Sequence, residues 1–93
     1  MENAKLNTMD NELYNLKVTD RQTFIQFLHL LRANLLQNPD TWENNTLPEF
    51  LEALAAYTED IQGYYNNINA NVDAEKADWS TFSDIFKGAI VYE

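Results

Sequence analysis

The chain has no cysteine, two glycines, two prolines and one histidine among its 93 residues. Without cysteine there is no disulfide framework, no thiolate metal site and no cysteine nucleophile. So few glycines and prolines leave little material for tight turns or a flexible linker, which favours helices. Basic residues are scarce too: six Lys and Arg stand against 15 Asp and Glu, for a net charge of −9. The surplus sits between Asp40 and Asp84, where Lys76 is the one basic residue. Nucleic acid and anionic membranes are therefore poor partners, because their phosphates are repelled, whereas a basic or mixed-charge protein surface is allowed. Acidity also serves solubility by itself. Apolar runs last only a few residues, so no segment is expected to span a membrane. The opening MENAKLNTMDNELYN lacks the apolar stretch of a secretion signal, which makes the cytoplasm the expected location.

What is present is enough for one modest core. Hydrophobic residues make up 45% of the chain and aromatics 13%, too rich for a disordered segment and right for a single domain of this length. In VTDRQTFIQFLHLLRANLLQ, Phe24, Phe27, Leu28, Leu31 and Leu35 recur at spacings of three and four, which puts them on one helical face. Ile25 and Leu36 widen that face. Thr19 and Gln22 have capping-box spacing, so Thr19 is the expected N-cap, and Asn38-Pro39 ends the helix. Thr46 and Glu49 repeat the box before a second helix. Its apolar side is predicted to carry Phe50, Leu51, Leu54, Tyr57, Thr58, Ile61, Tyr64 and Tyr65, and its acidic back Glu49, Glu52, Glu59 and Asp60. Residues 66–77 show no period and read as a loop. Asp78 then caps a third helix, with Trp79, Phe82, Ile85, Phe86, Ala89 and Ile90 on one face and Gly88 on the polar side. Leu6, Met9, Leu13 and Leu16 fit a short N-terminal amphipathic helix laid over the others.

The expected fold is an all-α bundle of three main helices, about residues 19–37, 47–65 and 79–91, with that short N-terminal helix. Residues 1–17 form an extension and 18–93 a single helical domain.

No catalytic or metal constellation emerges. His29 lies on the polar side of the first helix beside Gln22 and Gln26, without the orienting partner and pocket that a general base needs. Glu52, Glu59 and Asp60 point away from the apolar stripe, and no Glu-x-x-His pair accompanies them, as a bundle di-metal site requires. Asp73-Ala-Glu75-Lys-Ala-Asp78 lacks the glycine and the closing glutamate of a calcium loop. Ser80, Thr81 and Ser83 lie near Asp84, but there is no nucleophile elbow. The expectation is no enzyme, no cofactor and no metal.

Trp42 has two readings. Its ring can drop onto the ends of the first two helices and leave the indole N–H at the surface, or it can wait in water as an anchor for a partner.

Three runs carry a resemblance: Val18-Thr19-Asp20-Arg21, TWENNTLPEFLEALAAYTEDIQGYYNN and DWSTFSDIFKGAIVYE. With Trp-Glu-Asn, Leu-Glu-Ala-Leu-Ala-Ala and Gly-Tyr-Tyr in that order, residues 18–93 resemble an uncharacterised family of short acidic bacterial proteins, a domain of unknown function. Tyr57 stands where such proteins carry tryptophan. The resemblance implies a bacterial origin and a stand-alone domain, and brings no site with it.

The function expected from the residues is a non-enzymatic protein-interaction module. Trp42, Glu43, Glu49, Glu52, Glu59 and Asp60 are its candidate contacts with a basic protein surface. An immunity or inhibitor protein that occludes a toxin's cationic active site is one concrete form. The alternatives are a self-associating structural protein using Leu30, Leu36 or the N-terminal segment, and a small ligand-binding bundle built on Tyr57, Tyr64 and Tyr65.

Overall fold

The structure, a computed structural model, describes residues 12–93. Three helices dominate: α1 (Arg21–Gln37), α2 (Leu47–Asn67) and α3 (Trp79–Ala89). A 3-10 turn, Pro39–Thr41, follows α1, and residues 12–15 make one further helical turn. No strand occurs among the described residues, and none of their helices is long and apolar enough to cross a membrane. The fold is a small helical bundle.

Each helix starts at a side chain that takes up free amide groups. Asp20 caps α1, accepting from the Thr23 amide at 2.8 Å while Thr23 Oγ1 accepts from the Asp20 amide at 3.1 Å. The cap is thus one residue later than Thr19 and the box closes on Thr23 instead of Gln22, because aspartate supplies a charged acceptor to the orphan amides. Thr46 caps α2 through the Glu49 amide, and Asp78 caps α3 through the Ser80 amide. The second helix runs two residues past its expected end, to Asn67, and the third stops at Ala89, two residues short.

The core lies where α1, α3 and the link between α1 and α2 meet. Phe27, Leu31, Trp42 and Ile90 are buried there, joined by Leu13 and Val18 from the segment before α1. Phe24, Phe50 and Phe86 pack around them, with ring centroids 5.9 Å apart for Phe24–Phe86 and 6.1 Å for Phe50–Phe86. Of the residues expected in the N-terminal helix, Leu13 and Leu16 pack on this core; Leu6 and Met9 lie outside the described residues.

The buried faces are narrower than the periodicity predicts. On α1, Ile25, Leu28 and Leu36 are exposed, and the polar Asn34 is buried in line with Phe27 and Leu31. On α2 the buried positions are Ala53, Ile61 and Tyr65, while Leu51 and Tyr64 are exposed. Gly88 also departs from expectation: it faces α2, and a methyl group added there would overlap the Tyr57 ring. The glycine is a point of close helix approach.

After α2 the chain turns through Asn69 and Asn71, both with positive φ, a conformation asparagine tolerates better than most residues. Gln62 fastens the loop to α2, donating to the Val72 carbonyl at 2.9 Å and accepting from the Ala74 amide at 2.8 Å.

Candidate functional site

Asn44 organises the acidic side. Its amide group donates to the Ala89 carbonyl at 2.9 Å and the Tyr92 carbonyl at 2.8 Å. The Asn44 backbone N–H donates to the Ile90 carbonyl at 3.2 Å. Carbonyls at a helix C-terminus have no intrahelical partner, and here the link between α1 and α2 supplies donors. The clamp draws the stretch after α3 against the start of α2.

A cleft of about 370 Å³ results. Glu43 from the link, Glu49 and Glu52 from α2, and Glu93 from the stretch after α3 line it. Ala53 and Ala56 lie beneath, and Tyr92 forms one side. Three of the sequence-predicted acids are thus brought together. Glu59 and Asp60 stay exposed further along α2, outside the cleft. Asp60 accepts a hydrogen bond from the Tyr92 hydroxyl, and that carboxylate holds the Tyr92 phenol above its ordinary range. Glu49 also accepts from the Thr46 hydroxyl at 3.0 Å. Among the described residues the ion pair is Lys87–Asp84, at 3.4 Å and away from the cleft.

Trp42 does not belong with these acids as a contact residue. It is 6% exposed, its ring lies 5.4 Å from Phe50, and its indole N–H donates to Asn34 Oδ1 at 2.7 Å. The core-plug reading holds, with the N–H buried instead of at the surface. The residues that sequence reasoning missed are Asn44, Tyr92 and Glu93. They reach the site through bonds spanning more than forty positions, which no local spacing announces.

The tyrosines form a second concavity. Tyr14, Tyr57, Tyr64 and Tyr65 surround a space of about 450 Å³ with Ile68 and Val72 on its rim and Asp84, Lys87 and Gly88 on the α3 side. Tyr65 donates to Asp84 Oδ2 at 2.6 Å; burial, reinforced by that bond, pushes its phenol well up. Burial also raises Tyr57, with the nearby Tyr64 and Asp84 adding to the effect. His29 is exposed and shares an open depression with Glu12, Asn15 and Gln26, and its imidazole makes no hydrogen bond to another described residue. Among the described residues no three His, Asp or Glu side chains lie close enough together to hold a metal ion, the cleft glutamates included.

No curated protein and no solved structure matches the chain. A family model does, over residues 20–93, close to the span of the resemblance, and on that match the chain belongs to the family of unknown function DUF7660.

Proposed function

We propose that this domain acts by binding another protein, without catalysis, and that its acidic side receives a basic or mixed-charge protein surface. The observation that carries the reading is the convergence of Glu43, Glu49, Glu52 and Glu93 on one cleft that no cation lines. A fold that gathers four carboxylates retains a repulsion that a cationic partner relieves. The same field raises the rate of encounter with such a partner. Tyr92 and the two alanines add apolar contact, which supplies affinity where charge supplies steering. Phosphate-rich partners are repelled by the same groups. In its concrete form the domain is an immunity or inhibitor-type protein, acting in the cytoplasm and covering a cationic active site.

The test is an NMR titration with an unstructured lysine-rich peptide. Shift changes are expected to concentrate at residues 43–60 and 92–93. Glu52→Lys combined with Glu59→Lys is expected to weaken binding by about tenfold and flatten its salt dependence. Unchanged affinity in that variant, or shifts spread evenly over the surface, would sink the reading.

One observation favours a second reading, a ligand-binding bundle. The Tyr57 and Tyr64 hydroxyls have no hydrogen-bond partner among the described residues, and both line the tyrosine concavity. A small aromatic molecule fits such a lining. Titration with indole is expected to shift Tyr64, Ile68 and Gly88 amides; no saturable shift there removes this reading.

A further inference from the structure

We propose that the groove between α1 and the start of α2 receives an amphipathic helix of the partner protein, with leucine-like residues on one side and lysine or arginine along its flank. The inference rests on the protein-binding reading above and gives the partner its form.

The groove adjoins the acidic cleft across the link that carries Trp42 and Asn44. Leu28 and Leu35 line it from α1, Leu47 and Phe50 from α2, and Trp42 from the link. Its volume is about 260 Å³. Its lips are apolar side chains left in water: Leu28 is 38% exposed and Leu47 is 69% exposed. Leu36 and Leu51 are exposed as well, on the same two helices. Leu28 and Leu35, the outermost lining residues on α1, are seven residues apart, so the groove extends for roughly 10 Å along that helix. That length matches about two turns of a facing helix, which inserts side chains at positions i, i+4 and i+7.

Charge decides the occupant. Thr46 lines the groove, and its hydroxyl holds the Glu49 carboxylate at 3.0 Å. Asn44 lines both the groove and the acidic cleft, where Glu43 lies beside it. The groove therefore opens beside the acidic cleft; its own lining holds one charged residue, Arg32, so the carboxylates that a basic flank would meet are those of the cleft. A second copy of this chain would bring a second molecule of charge −9 against that rim. A basic helix satisfies the leucines and the carboxylates together. An apolar centre with a charged border is the usual anatomy of such interfaces.

The test uses synthetic helical peptides of about 18 residues, long enough to cover the groove. One carries a leucine stripe flanked by lysines. A second has the same composition scrambled to destroy the stripe, and a third replaces lysine with glutamate. The Leu/Lys helix is expected to bind saturably, shifting the Trp42 indole and amides of residues 28–35 and 42–50. The scrambled and Leu/Glu peptides are each expected to bind at least about tenfold more weakly. Leu28→Gln with Leu47→Gln, both at exposed positions, should leave the thermal melt intact and weaken the Leu/Lys helix by about tenfold.

Equal binding of the stripe and scrambled peptides, with shifts confined to the acidic cleft, overturns the groove and leaves the acidic surface standing. Equal binding of the Leu/Lys and Leu/Glu helices overturns the basic partner and counts against the acidic reading too. A dimer in sedimentation that Leu28→Gln with Leu47→Gln dissolves identifies a second copy as the occupant and overturns the proposal.

Discussion

Trp42 shows how one side chain serves packing and placement together. Its ring closes the core beside Phe50 while its N–H is held by Asn34, so the link it belongs to has one path over the bundle. Trp42→Ala is expected to cost about 3–5 kcal/mol through lost burial and the cavity left behind. Trp42→Phe keeps most of the packing and loses the buried bond, for about 1–3 kcal/mol. Chemical denaturation measures both. In a Trp79→Phe variant the remaining indole should emit in the blue and resist acrylamide, because Trp42 is 6% exposed and Trp79 37%. The fate of this ring was half legible: a tryptophan between two helices belongs over their ends, and the buried Asn34 on the Phe27–Leu31 face was the available signal for its partner. The clamp by Asn44 is not legible from local spacing, since its partners Ala89 and Tyr92 lie 45 and 48 positions further along the chain. Asn44→Ala should strip two part-buried carbonyls of a donor, cost about 1 kcal/mol and let Glu93 drift from the cleft. Weaker lysine-peptide binding at unchanged secondary structure would register that drift.

Helix positions and types followed from spacing and caps, because capping residues and three-four periodicity act within a few residues of each other. Helix faces followed less well. Leu36 and Leu51 fit an apolar stripe by angle, yet the neighbouring helices do not reach them. Gly88 departs from its place on the wheel for the same reason: the wheel shows direction, and only the packed pair shows that Tyr57 occupies the space beside it. Gly88→Ala is expected to destabilise by about 1–2 kcal/mol, since overpacking outweighs the helix propensity gained. In a Tyr57→Ala background the sign should reverse, because only the propensity term of up to about 1 kcal/mol remains. Additive effects in that double-mutant cycle would show that the two positions do not meet. The cap of α1 carries a pH signature. The Thr23 amide, reinforced by the Thr23 hydroxyl, holds the Asp20 carboxyl below its ordinary value of 3.8. A depressed folded pKa means that its contribution is complete above about pH 4 and fades as pH falls through the folded value. Asp20→Asn keeps an acceptor but cannot titrate, so its melting temperature should fall less on acidification below pH 4 than that of the unmodified protein.

At the scale of the whole molecule, charge links stability to the proposed role. The total of −9 follows directly from composition; that Glu93 joins Glu43 and Glu49 in one cleft does not, because their meeting depends on the tertiary clamp. Carboxylates gathered this way repel one another in the free domain, and salt screens that repulsion over roughly 10 Å at 0.1 M. The isolated domain should therefore melt higher as ionic strength rises from low values. Glu52→Lys with Glu59→Lys replaces two negative charges by two positive ones on one side of α2. It should raise the melting temperature by a few degrees in low salt, with the difference shrinking in high salt, because relief of self-repulsion is a screened effect. The same variant is the one expected to bind a basic peptide more weakly. A domain that becomes more stable and a poorer binder by one pair of substitutions keeps its acidic surface for contact, since solubility alone is served by many other arrangements of charge. A variant that melts higher and binds unchanged would assign the acids to solubility, and the cleft would lose its claim as an interface.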